Sequence, residues 1–85
     1  MPYIRLEDRK KFKGLIDNMP LLENKGELEY LIFRLMQHYM MNKERRYSTL
    51  HDCVYAAMHC ADEYRRRYLD LREDAAIIEN GDIEE

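Results

Sequence analysis

The chain has 85 residues, 46% hydrophobic and 36% charged, enough apolar content for one folded domain and too little length for two. No apolar run approaches the roughly 20 residues of a membrane-spanning helix, and the N-terminal MPYIRLEDRKK lacks the apolar stretch of a secretion signal, so a soluble, cytoplasmic protein is expected. The formal charge of −3 divides unevenly: residues 1–72 carry all 14 Lys and Arg against 11 acids and are +3, whereas residues 73–85 hold the other six acids and are −6.

No stretch alternates apolar and polar residues as a half-buried strand does, and helix is the only regular pattern. Residues 5–18 place Leu6, Phe12, Leu15 and Ile16 at roughly helical spacing, with Glu7 and Asp8 early and Lys10, Lys11 and Lys13 later, an order that complements the helix dipole. Met19-Pro20 ends this element, because the residue before proline is pushed out of the α region. Asn24-Lys25-Gly26-Glu27 reads as a capping box, with Asn24 accepting from an early amide and Glu27 reaching back to the cap. The second helix that follows carries an apolar stripe of Leu28, Leu31, Ile32, Leu35, Met36, Tyr39 and Met40, the expected core.

Residues 42–47 form a charged connection, and Ser48-Thr49 followed by Asp52 is a second cap signature. A third helix is expected over about 49–78, stopped by Asn80-Gly81. Leu50, Cys53, Val54, Ala57, Cys60, Ala61, Tyr64, Tyr68 and Leu71 form its apolar seam, small in the middle and Tyr-rich toward the end. Such a helix is longer than two short partners can cover, and a core of this size is thin. The expected architecture is therefore all-α, a three-helix arrangement with a long C-terminal helix, assembled as a homo-oligomer. Residues 1–78 form the helical domain and residues 79–85 an acidic tail.

The third helix carries residues for several chemistries. Asp52, Tyr55, His59, Asp62, Glu63, Arg66 and Asp70 share the face opposite the seam, where carboxylates at this spacing suit a divalent metal. The pairs Asp62–Arg66, Glu63–Arg67 and Arg66–Asp70, four residues apart, favour a plain solvated face instead. Small all-α enzymes that cleave nucleoside triphosphates have a similar size but bind Mg²⁺ through E-x-x-E and E-x-x-D. Here Glu27 and Glu29 form E-x-E, and Asp62-Glu63 lack an acid three or four residues later. A nucleotide pyrophosphohydrolase is thus an alternative, using Asp52, His59, Asp62 and Glu63. Zinc is disfavoured because His51 and His59 stand about 80° apart around the helix with Cys53 and Cys60 on the seam, and Cys–His catalysis because both cysteines lie about 100° or more from His59. The two cysteines, about 10 Å apart by helix rise, cannot pair with each other, and free thiols fit a reducing compartment.

The basic clusters carry the functional expectation. Lys43, Arg45, Arg46 and Tyr47 precede the third helix, whose free amides attract anions. Arg65, Arg66 and Arg67 lie between Tyr64 and Tyr68, guanidinium groups to clamp a phosphate beside rings to stack a base. Long duplex nucleic acid is disfavoured by the +3 body and the acidic tail.

Lys25-Gly26-Glu27-Leu28-Glu29-Tyr30, the run Arg46-Tyr47-Ser48-Thr49-Leu50-His51-Asp52-Cys53-Val54-Tyr55-Ala56-Ala57 and the run His59-Cys60-Ala61-Asp62-Glu63-Tyr64-Arg65-Arg66-Arg67 resemble a family of small proteins of unknown function found in bacteria and phages. The likeness covers nearly the whole chain. It implies cytoplasmic residence and a phage-related role, such as binding a host factor or sequestering nucleotides, and brings no activity with it.

The sequence thus points to a non-enzymatic binding protein for a phosphate-bearing, nucleotide-like small molecule or an acidic protein partner. Its expected ligand-binding residues are Arg45, Arg46, Tyr47, Ser48, Thr49, Tyr55, His59, Arg65, Arg66 and Arg67. No catalytic residue, metal, cofactor or membrane partner is expected, and a purely structural oligomerisation module is the further alternative.

Overall fold

A computed structural model describes residues 2–84; Met1 and Glu85, the last acid of the expected tail, lie outside the described residues. All regular structure among the described residues is helical, in three segments. The first is broken into α1 (Leu6–Arg9), a 3₁₀ turn (Lys10–Phe12) and α2 (Lys13–Asp17), where the spacing predicts one helix over 5–18. Leu6, Leu15 and Ile16 are exposed, so little tertiary packing holds the segment, and Gly14 and the run Arg9, Lys10, Lys11, Lys13 weaken it further. Asn18 closes α2 by donating from Nδ2 to the Gly14 carbonyl at 2.8 Å.

The second segment, α3 (Lys25–Tyr39), starts as its capping box dictates. Asn24 Oδ1 accepts from the Glu27 amide at 2.9 Å, while Glu27 Oε1 accepts from the Glu23 amide at 2.8 Å, one residue ahead of the cap. At the other end Lys43 Nζ donates to the Tyr39 carbonyl at 2.8 Å and lies 4.0 Å from the Tyr39 ring centroid, a cation placed where the helix dipole favours it.

The third segment runs from Tyr47 to Asn80 as α4 (Tyr47–Tyr64), a π turn (Arg65–Leu69) and α5 (Asp70–Asn80). At helix rise it spans about 50 Å, which matches the 51 Å long axis of the molecule. It begins two residues earlier than the cap signature predicts. Arg46 takes the cap position, where a guanidinium, having no acceptor, caps no amide, and the Thr49 hydroxyl points backward and shares its hydrogen between the carbonyls of Glu44 and Arg46 at 2.6 and 3.0 Å. Gly81, at φ 89°, ends α5 as Asn80-Gly81 suggests, its amide donating to the Ile77 carbonyl at 2.8 Å.

The π turn is absent from the sequence reading and changes it. The Asp70 amide donates to the Arg65 carbonyl, five residues back, so the turn holds one residue more than an α turn. One extra residue rotates everything after it by about 100°. Tyr64, Tyr68, Leu71, Ala75 and Ile78 are spaced to continue the α4 seam on a regular helix, and the π turn carries the later members off that line.

Packing between segments is sparse. α3 lies against the first half of α4, where Cys53, at 7% exposure, is the buried side chain of the described residues. Its Sγ is 3.6 Å from the Met36 carbonyl to which it donates. Leu31, Met36, Tyr39 and Met40 of the expected core stripe are half-buried, but Leu28, Ile32 and Leu35 of the same stripe are exposed. The chain exposes 8440 Å², against about 5,400 Å² for a compact monomer of its mass. Its radius of gyration is 17.1 Å, against about 12 Å for a compact domain of this length. A single copy therefore leaves most of its apolar stripes uncovered. Among the described residues no helix is long and apolar enough to cross a membrane.

Candidate ligand-binding site at the start of the long helix

Two groups of the expected site residues sit at opposite ends of α4. The first is built by the turn into the helix. Arg46 is extended, at φ −85° and ψ 157°, so the chain enters α4 abruptly and the first-turn amides of Tyr47, Ser48 and Thr49 face outward with no side chain capping them. These amides carry the positive end of an 18-residue helix, with Arg45 and Arg46 beside them. Arg46 Nε donates to Glu44 Oε2 at 2.5 Å, and Arg45 has no ion pair among the described residues. The hydroxyl of Thr49 is spent on backbone carbonyls, so its contribution to an anion is its amide.

From this corner an aromatic ladder runs down one face of α4. Tyr47 stacks on His51 at 5.3 Å between ring centroids and 30° between planes. His51 then meets Tyr55 at 4.1 Å, and Tyr55 meets His59 at 5.7 Å. Four-residue spacing on a helix makes these neighbours, so Tyr47, Tyr55 and His59 do belong together. His51, which the sequence raises only as a candidate zinc ligand, joins them. The signal was present as Tyr, His, Tyr, His at every fourth position. The outermost ring, Tyr47, is 81% exposed and offers a free face.

The second group lies about 30 Å away by helix rise, and each of its arginines is already engaged. Arg65 pairs with Asp62 at 3.0 Å and Arg66 with Glu63 at 2.5 Å, spacings of three rather than the expected four. The reason is Tyr3. Its hydroxyl donates to Glu63 Oε1 at 2.8 Å and its ring lies 5.7 Å from the Arg67 guanidinium, so Arg67 faces the ring instead of Glu63. The hydrogen bond from Arg66, then that from Tyr3, holds the Glu63 carboxyl below the ordinary carboxylate value, and Glu63 in turn raises Arg66. A shallow groove of about 350 Å³ opens beside this clasp, bounded by Tyr3, Cys60, Tyr64 and Arg67. Tyr3 is missing from the expected site, since a contact spanning 60 residues leaves no local pattern.

The carboxylates of the opposite face do not converge. Asp62 and Glu63 are occupied by arginines, and among the described residues no three His, Cys, Asp or Glu side chains are grouped as metal ligands would be. Cys53 and Cys60 are both free thiols.

The elements define a small all-α protein with one long, π-interrupted helix and an uncapped, basic helix start. By sequence the chain belongs to the family described as Domain of unknown function (DUF6899), whose model matches residues 1–83. No match was found among curated proteins or among solved structures.

Proposed function

We propose that this protein is a non-enzymatic, phage-related binding protein of the reducing cytoplasm. It works as a homo-oligomer and recognises a phosphate-bearing, nucleotide-like small molecule at the start of α4. One observation carries this reading: the N-terminus of an 18-residue helix is left without a side-chain cap while Arg45 and Arg46 stand beside it. Outward amides, helix dipole and two guanidinium groups together form an anion-binding corner. The exposed Tyr47 ring, backed by His51, provides a stacking surface for a base adjoining that phosphate. The homo-oligomer follows from the apolar stripes that one copy leaves uncovered.

The test is a calorimetric titration with ATP as probe. Arg46→Ala is expected to weaken binding about 10- to 100-fold, the range of one charge-assisted hydrogen bond, and Tyr47→Ala to weaken it by a smaller factor. Arg66→Ala is expected to have little effect, because Arg66 lies about 30 Å from this corner along the helix and is held by Glu63. Unchanged affinity in Arg46→Ala overturns the reading.

A further inference from the structure

We infer that the open apolar side of α4 is covered by a second copy of this chain whose long helix runs antiparallel to the first, with the basic corner of each subunit against the acidic α5 and tail of the other. This rests on the homo-oligomer part of the proposed function and adds its orientation and its electrostatic partner.

The area calls for an occupant of this size. The surplus over a compact monomer is about 3,000 Å² per chain, so two chains carry more than the 2,000–5,000 Å² that obligate homodimers bury in total. The uncovered side of α4 presents Leu50, Val54, Ala61 and Tyr64, while Cys53 and the half-buried Ala57 turn toward α3. Helix on helix is thus the natural cover, and α3 fills only one flank of the seam.

Charge decides the direction. The entry to α4 is basic through Lys43, Arg45 and Arg46, whereas the far end carries Glu73, Asp74, Glu79, Asp82 and Glu84. A parallel pair would lay two acidic ends side by side and two basic corners side by side, each a repulsive contact. An antiparallel pair centred on the middle of the seam near Cys60 sets Arg46 of one subunit beside the Glu73–Asp74 turn of the other. The helix dipoles are then opposed, which also favours this direction. The π turn fits the same arrangement: by rotating Tyr68, Leu71 and Ile78 off the seam it leaves Arg72 and Glu73 nearer that line, a charged stretch suited to a charged corner and not to an apolar one.

The arrangement also bears on the ligand site. Along one chain the two arginine clusters are about 30 Å apart, whereas across the pair Arg46 of one subunit is only about eight residues, roughly 12 Å of helix rise, from the level of Arg66 in the other.

The experiment crosslinks the full chain in a Cys60→Ser background. Arg46→Cys and Asp74→Cys variants are treated with a short bis-maleimide, each alone and mixed, and wild-type association is followed by sedimentation equilibrium from low to high salt. The expected result is a covalent dimer from the mixture and little from either variant alone, with wild-type dimerisation weakening about tenfold as salt screens the complementary ends. Self-crosslinking of each variant alone, or association that strengthens with salt, overturns the antiparallel pairing and leaves the homo-oligomer standing. A chain that remains at 10.4 kDa at all concentrations overturns both.

Discussion

The Tyr3 hydroxyl donates to Glu63 Oε1 at 2.8 Å, and this bond ties the extended N-terminus to the end of α4, 60 residues away. Arg66 grips the same carboxylate from the helix side, and the Arg67 guanidinium faces the Tyr3 ring. Few other contacts hold the first segment, so this clasp governs whether residues 2–17 stay on the body. Tyr3→Phe keeps the ring and removes the donor. Hydrogen exchange at residues 4–17 is expected to speed up while α3 and α4 remain unchanged; unaltered exchange would show that the hydroxyl does not anchor the segment.

The same clasp sets a pH dependence. Glu63 is held below its ordinary value of 4.5 by the hydrogen bonds from Arg66 and Tyr3. A depressed carboxylate contributes stability that is present above the unfolded value and is lost as pH falls through the folded value. The N-terminal segment therefore loosens only below about pH 4.5, and in Tyr3→Phe, which lacks the hydroxyl that links the segment to Glu63, this acid dependence is expected to disappear. A histidine-range transition in this segment would contradict the assignment to Glu63.

Cys53, the buried side chain of the described residues, meets the Met36 carbonyl where α3 and α4 touch. Cys53→Leu is expected to cost about 1–3 kcal/mol by overpacking the contact with Met36, lowering the melting temperature by several degrees. A melting temperature equal to wild type would mean that the two helices do not pack through this residue.

The helical segments, the start of α3 and the stop after α5 were legible from the sequence because each rests on local rules. Asn24 and Glu27 cap α3, and Gly81 stops α5, from residues within one turn. What escaped depends on competition between distant or near-degenerate alternatives. Thr49 turns its hydroxyl back to Glu44, and the cap falls at Arg46 instead of Ser48. The π turn and the regular turn at Arg65–Leu69 use the same residues and differ by one hydrogen-bond register. Leu28, Ile32 and Leu35 have the periodicity of a core yet lie open, since periodicity shows which face seeks cover and not which molecule supplies it.

The π turn makes a deletion informative. Removing Leu69 takes out the additional residue and converts the turn to regular α-helix without rotating α5, so circular dichroism is expected to show unchanged helicity. Removing Met58 from the middle of α4 instead rotates Glu63 by about 100° away from Tyr3 and is expected to release the N-terminal segment. Equal damage from both deletions would argue against the π register.

On the proposed reading the acidic tail and an anionic ligand compete for Arg45 and Arg46. Deleting residues 79–85 removes four of the six acids beyond residue 72, and ATP is expected to bind several-fold more tightly at Arg45 and Arg46 as a result. Unchanged affinity would confine the tail to keeping the protein soluble.

Native mass spectrometry of the purified full-length chain tests the central claim most directly, because it counts subunits and retains bound small molecules in one spectrum. The expected spectrum is a multiple of 10.4 kDa carrying a phosphate-bearing adduct that is lost in Arg46→Ala. A 10.4 kDa monomer that takes up no anionic ligand, even with ATP added, would contradict it.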